Sequence, residues 1–202
     1  LLDSYWPAVS VLRHKKELTV IQMWHAMGKI KKSGYQSLGK KFGRSDVIAR
    51  EMRMHRNYDV IIAGGRAFNP FYCASFGVNP DILYNVGLPR MDRLREGVSE
   101  ARRQFDKAYP WLRGRKIILY APTFRKGQTL EPTELVEAFA FDTKEMLVIK
   151  RHPNQLLDLE SIAPAITCGK VPTSTVLSVC DCVITDYSAI TIEAALLGKP
   201  VY

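Results

Sequence analysis

Acidic side chains are scarce in this chain beside basic ones, and cysteines and long apolar runs are scarce outright. Its four cysteines (Cys73, Cys168, Cys180, Cys182) show no CxxC spacing and fall mostly within apolar runs. That distribution speaks against a disulfide framework or a zinc site and reads as reduced core thiols of a cytosolic protein. No apolar stretch approaches the roughly 18 residues that cross a bilayer, and the start carries no signal-peptide pattern, so any membrane contact is expected to be peripheral. GxGxxG, GxxxxGK(S/T), GxSxG and HExxH are all missing. A dinucleotide site, a P-loop, a serine hydrolase and a zinc protease thereby lose their usual support. The carboxylates show no catalytic pairing. His14 and His55 sit among basic residues with no acid or cysteine at metal-ligand spacing, and both are expected to be solvated.

What is present is a chain of 202 residues, 47% hydrophobic and 24% charged, enough for one sizeable core or two small ones. Lysine and arginine number 29 against 20 acids, a net charge of +9. A surplus of that size points to an anionic partner such as nucleic acid, lipid headgroups or phosphorylated substrates, with solubility as the bland alternative. The chain opens on Leu1-Leu2 and stops at Lys199-Pro200-Val201-Tyr202 just as a new strand begins, and so reads as a fragment.

Short runs rich in valine and isoleucine alternate with helix-like stretches, the pattern of an α/β fold with parallel sheets covered by helices. The expected strands are Leu18 to Met23, Tyr58 to Ala63, Ile82 to Val86, Ile117 to Ala121, Met146 to Lys150 and Cys182 to Thr185. The expected helices are Asp46 to His55, Pro70 to Phe76, Ser99 to Tyr109, Pro132 to Phe141, Thr175 to Val179 and Ile190 to Leu197. Each chemistry-bearing cluster follows a strand: Trp24-His25, Gly64-Gly65-Arg66, Gly87-Leu88-Pro89-Arg90, Pro122-Thr123-Phe124-Arg125, Arg151-His152-Pro153 and Asp186-Tyr187-Ser188. Ligands of open α/β sheets bind outside the carboxyl ends of the strands, so this recurrence points to one crevice. A boundary is expected in the charged segment Arg90 to Arg115, giving domains over 1–90 and 116–202 joined by a linker over 91–115.

Thr185-Asp186-Tyr187-Ser188-Ala189 carries a strand end into a helix start, where unpaired N–H groups and the helix dipole suit a phosphate; a plain N-cap is the competing reading. Glu193, five residues after Ser188, is placed to reach ribose hydroxyls or to be a helix-surface glutamate. His25 can take a proton near neutral pH, and Gly28-Lys29-Ile30-Lys31-Lys32 follows it with three lysines. His152 lies beside Lys150 and Arg151, suited to donating hydrogen bonds to phosphate. Arg125 and Lys126 add cations after the fourth strand. Arg90 and Asp92 lie at the hinge, where a salt bridge is expected.

Taken in order, Trp24-His25-Ala26 with Lys29 and Lys31-Lys32, Gly87 to Leu94, Leu119 to Arg125, Lys150-Arg151-His152-Pro153 and Val183 to Ala189 resemble the motif series of the CDP-glycerol glycerophosphotransferases, the teichoic acid primases and polymerases. The resemblance runs from about Leu18 to Tyr202. It implies a GT-B architecture of two Rossmann-like domains with the active site between them. The implied reaction moves glycerol phosphate, or ribitol phosphate, from a CDP-linked donor to a hydroxyl on a membrane-associated, lipid-linked acceptor. The implied setting is the cytoplasm, peripheral to the inner face of the membrane, with no cofactor and no nucleic-acid partner. His25 matches the family's acceptor-deprotonating histidine. His152 matches the histidine of its HP motif, which would contact the donor pyrophosphate. Arg125 would neutralise phosphate charge, with Lys29 and Arg151 adding substrate-binding cations. Thr185, Asp186, Ser188 and Ala189 match the TDYSS segment that cradles phosphate. Two departures stand out: Ala26-Met27 replaces the Gly-Thr-Pro that commonly follows the histidine, and Ala189 replaces the second serine. Rival readings are a GT-B glycosyltransferase using a nucleotide sugar and a non-catalytic basic module for nucleic acid or anionic lipid.

Overall fold

Branched side chains stiff at χ1 suit a pleated surface, and the valine- and isoleucine-rich runs form the strands. The computed structural model describes residues 1–41, 43–125, 128–139, 144–152 and 165–202, together with the backbone of 156–157. The chain divides into two compact units, Leu1–Pro89 and Arg90–Tyr202.

The first unit runs α1 (Pro7–Val11), β1 (Ile21–Gln22), α2 (Asp46–Glu51), β2 (Val60–Ile62), α3 (Asn69–Phe76) and β3 (Leu83–Tyr84). Its sheet is parallel in the order β1-β2-β3, with Gln22 opposite Ile61 and Ile62 opposite Tyr84. Val20, Tyr58, Ile61, Tyr72, Phe76 and Leu83 form its core. Ser45 starts α2 by accepting a hydrogen bond from the Ile48 N–H at 3.2 Å. The helix stops at Glu51, short of the expected His55, because Arg53, His55 and Asn57 take φ of 45°, 61° and 67°. Helical backbone cannot continue through such residues. His55 itself overturns its expected solvation: it is 4% exposed, its Nδ1 lies 3.1 Å from the Tyr58 hydroxyl, and the Phe76 ring centroid is 4.6 Å from its own.

The boundary falls after the first residue of α4 (Pro89–Glu96), and the second unit continues with α5 (Val98–Ala108). The segment 91–115, expected as a linker, is thus largely helical. Alanine and phenylalanine at i and i+4 give α5 an apolar stripe; Ala101 and Phe105 are buried and the helix packs on α7 (Thr173–Val179). The unit continues with β4 (Lys116–Tyr120), β5 (Thr129–Leu130), α6 (Thr133–Phe139), β6 (Glu145–Ile149) and β7 (Leu156–Leu157), and after α7 with β8 (Cys182–Ile184) and α8 (Ile190–Leu196). Its main sheet is parallel in the order β6-β4-β8, and β5 pairs with β7 in a two-stranded sheet that the sequence did not announce. Backbone bonds from Val183 N to Pro200 O, Tyr202 N to Val183 O and Thr185 N to Tyr202 O, at 2.9, 2.9 and 3.0 Å, extend the sheet where the further strand was expected. Ile118, Leu130, Val136, Leu147 and Ile149 form a core cluster here. Lys126, Ala140, Phe141 and Pro153 lie outside the described residues. Among the described residues no helix is long and apolar enough to cross a membrane.

Candidate active site

In the second unit β4 is the middle strand, and Tyr120 stands opposite both Ile149 of β6 and Ile184 of β8. Parallel strands in that register end level, about 4.8 Å apart. The segments Ala121 to Arg125, Lys150 to His152 and Thr185 to Ser188 therefore leave the sheet side by side. Their hydrogen bonds tie them together. Asp186 accepts from the Thr123 N–H at 3.0 Å and pairs with Arg125 Nη2 at 3.0 Å, so both of its oxygens are engaged by the β4 loop. The Thr185 hydroxyl donates to the Ala121 carbonyl at 2.6 Å. Phe124, between the two residues held by Asp186, lays its ring against His152, centroid to centroid 5.0 Å at 33°.

Asp186 and Thr185 thus act as fasteners between loops. A carboxylate is a poor phosphate ligand, and here it aims Arg125 instead. Ser188 Oγ accepts weakly from the Ile190 N–H at 3.4 Å, Ala189 takes helical backbone at the start of α8, and Glu193, 9% exposed, forms an ion pair with Arg90. The expected salt bridge of Arg90 therefore forms with Glu193 on α8. Arg151 is exposed beside His152. Lys150 is drawn inward, donating to the Cys168 and Val171 carbonyls at 2.6 and 2.7 Å, and burial pushes its pKa down.

In the first unit the tip of β1 carries Trp24 and His25. Trp24 takes φ 58°, and its N–H donates to the Gln22 side-chain oxygen at 2.9 Å. The reversal leaves His25 exposed, its ring 4.3 Å from the Trp24 ring and its Nδ1 3.0 Å from the Asp3 carbonyl oxygen. A carbonyl can only accept, so Nδ1 carries the proton and, in the neutral ring, the lone pair resides on Nε2. The following loop lies tight on β2: a Cβ at Gly64 would meet the Met27 carbonyl oxygen at 2.1 Å, which glycine alone permits. Lys29 is 6% exposed, its ammonium 4.0 Å from the Trp24 centroid and 4.4 Å from that of Phe76, with its hydrogen bond to the Ser33 hydroxyl at 2.6 Å. Burial pushes its pKa down to about 8.

The sequence profile that describes CDP-glycerol:poly(glycerophosphate) glycerophosphotransferases matches residues 1–202. The chain belongs to that family. It is 31% identical over 214 residues to a teichoic acid ribitol-phosphate primase of Bacillus spizizenii, covering 100% of this chain and 55% of the relative. A teichoic acid glycerol-phosphate primase of Bacillus subtilis is 29% identical over 209 residues, covering 100% and 54%. Among solved structures, the wall teichoic acid polymerase TagF superposes with a TM-score of 0.75 at 21% identity, covering 98% of this chain and 52% of that one. The chain spans about half the length of the curated relatives it matches. The α/β architecture with parallel sheets agrees with the fold class expected from the sequence, and the structural neighbour shares it.

Within this glycerophosphotransferase fold, sequence reasoning passed over Phe124, the Thr123 N–H and the backbone of Trp24, and it missed the burial of Lys29. Phe124 and the Thr123 N–H sit inside the quoted Pro122 to Arg125 segment, but an aromatic in a loop gives no sign of which ring it will cover. Trp24 stood beside His25 without its positive φ being readable, since nothing about an indole favours that backbone. Lys29 was expected as a substrate-binding cation; the burial that sets it apart from Lys31 and Lys32 comes from Trp24 and from Tyr72 and Phe76 on α3.

Proposed function

We propose that the protein transfers glycerol phosphate or ribitol phosphate from a CDP-linked donor to a hydroxyl of a membrane-associated, lipid-linked acceptor in teichoic acid or related cell-surface polymer synthesis. The observation that carries this is the level register of β6, β4 and β8, which gathers Arg125, His152 and Ser188 at one end of a parallel sheet in a chain of this family. In this reading His25 Nε2 takes the acceptor's hydroxyl proton. The oxygen attacks the phosphorus that bears the polyol, and the bond to the cytidine monophosphate oxygen breaks. Arg125, Arg151 and His152 offset the charge that moves onto the leaving group, with Thr185, Asp186, Ser188 and Ala189 shaping the loop around them. Glu193 is 11% exposed at its side chain and binds the ribose only by exchanging or sharing its Arg90 partner.

The test is CMP release from CDP-glycerol and CDP-ribitol. His25→Ala should abolish turnover with modest loss of donor binding, and an unchanged rate refutes the assignment. Release of UDP from a UDP-sugar, with none of CMP, refutes the donor class. Exposed Leu12 and Leu18 interleave with Arg13, Lys15 and Lys16 in the first unit, chemistry that suits the anionic cytoplasmic leaflet where such an acceptor would lie. Vesicle flotation that ignores anionic lipid content counts against this docking.

A further inference from the structure

Burying an ammonium without a carboxylate is costly, and proteins seldom keep one unless it does something. Lys29 is such a group. Among the described residues no acid pairs with it; its hydrogen bond goes to Ser33, whose hydroxyl is 2.8 Å from that of the fully buried Ser75. The rest of its environment is aromatic: the faces of Trp24, Phe76 and Tyr72 at 4.0, 4.4 and 5.6 Å. Ring faces are negative, so three of them converging on a cation hold it and are in turn oriented by it. Of the three, Tyr72 and Phe76 are fixed in the core of the first unit, whereas Trp24 sits in a strained turn at the tip of β1.

That turn is where the proposed base is mounted. Trp24 meets Phe76 edge-on at 5.3 Å and His25 at 4.3 Å and 32°. The exposed imidazole thus packs on an indole that Lys29 and Phe76 also contact. Resting on the proposed role of His25, we propose that Lys29 is a positioning residue: its ammonium pins the Trp24 indole, and the indole sets the orientation of the His25 ring. This differs from the binding role expected from sequence, because an ammonium roofed by Trp24 and hydrogen-bonded to Ser33 is turned away from solvent and from any phosphate there.

The experiment compares Lys29→Met, which keeps length and apolar contact but removes the charge, with Lys29→Arg and Trp24→Leu. Carbon-13 spectra of the histidine rings report His25 directly. In Lys29→Met the His25 ring signals should move while those of His14 stay, the melting temperature should hold or rise, and kcat for CMP release should fall about tenfold or more with donor KM within about twofold. Lys29→Arg should restore part of kcat. Once Trp24 is leucine, Lys29→Met should cost kcat nothing further, since neighbours acting in series are non-additive. Unmoved His25 signals with unchanged kcat, or full additivity of the two substitutions, overturns the proposal; if Lys29→Met fails to fold, the Trp24→Leu and Lys29→Arg spectra decide it on the same criterion. Failure of the base assignment reads differently: His25→Ala would keep turnover while the spectral coupling of Lys29 to His25 persisted.

Discussion

His55 makes the stability of the first unit depend on pH in a way that can be worked out beforehand. Burial, with smaller contributions from the nearby Lys29 and Arg44 charges, pushes its pKa from 6.5 to about 4. The native ring is therefore neutral where the unfolded one already accepts a proton. Stability is whole above pH 6.5 and is lost as acid protonates the unfolded chain first. One pKa unit corresponds to about 1.4 kcal/mol, so this residue alone should remove about 2 kcal/mol by pH 5 and about 3 kcal/mol by pH 4, with little further loss below. The comparison is with His55→Phe, which retains a ring in the aromatic pocket but cannot titrate. Losing the Tyr58 hydrogen bond lowers the variant's stability by an offset that does not depend on pH. Urea unfolding followed by tryptophan fluorescence in a Trp111→Phe background reports the first unit, because Trp6 and Trp24 both belong to it. The stability of the wild type relative to the variant should fall by about 2 kcal/mol as the pH falls from 8 to 5. Parallel curves over that range would show that His55 is neither buried nor shifted as described.

Two substitutions probe the second unit. Asp186→Asn keeps one acceptor for the Thr123 N–H but loses the ion pair to Arg125, and with it the register of the Phe124 ring on His152. CMP release should fall about tenfold to a hundredfold for less than about 1 kcal/mol of stability, the pair being partly exposed; wild-type turnover would dismiss the clasp. Leu177→Ala, at a site 1% exposed on α7, should cost about 2–5 kcal/mol in urea unfolding, and a loss below about 1 kcal/mol would mean that α7 does not pack as described.

The strand tips were legible because period, punctuation and chemistry coincided there. A valine-rich run followed by proline, glycine or a charge marks both the end of a strand and the place where ligands meet an α/β sheet. All six runs contain strands, though shortened: Leu18 to Met23 keeps Ile21–Gln22, while Ile117 to Ala121 is nearly whole in Lys116–Tyr120. Helix α4 was hidden because Pro89, which opens it, reads equally as a loop residue, and its arginines form no apolar stripe. Pairing between distant segments was illegible throughout. Asp186 looked like a phosphate-side residue until Thr123 and Arg125, more than sixty positions away, took both its oxygens. His55 looked solvated among its basic neighbours because local charge says nothing about Tyr58 and Phe76 closing over it.

The same pairing bears on what the net charge of +9 does. Arg125 faces Asp186 and Arg90 faces Glu193, and on α5 Arg102 and Arg103 face Asp106 and Glu100. On the proposed reading, an anionic donor arriving at the strand tips would meet arginines whose long-range field is already partly cancelled, and its recognition would rest on short hydrogen bonds that salt screens little. The loop from Leu12 to Leu18 is different: Arg13, Lys15 and Lys16 are exposed with Glu17 as the lone acid among them. Near an anionic membrane each basic residue contributes about 1 kcal/mol, so three are worth about a hundredfold in binding at low salt. Raising salt from about 0.1 to about 1 M shortens the screening length from roughly 10 to 3 Å. Over that range vesicle binding should fall by one to two orders of magnitude, while the donor KM in a detergent-free soluble assay should change by no more than about threefold. A donor KM that climbs in step with the loss of vesicle binding would mean that the strand-tip arginines act as a diffuse cationic patch, and that their ion pairs do not set the charge the donor meets.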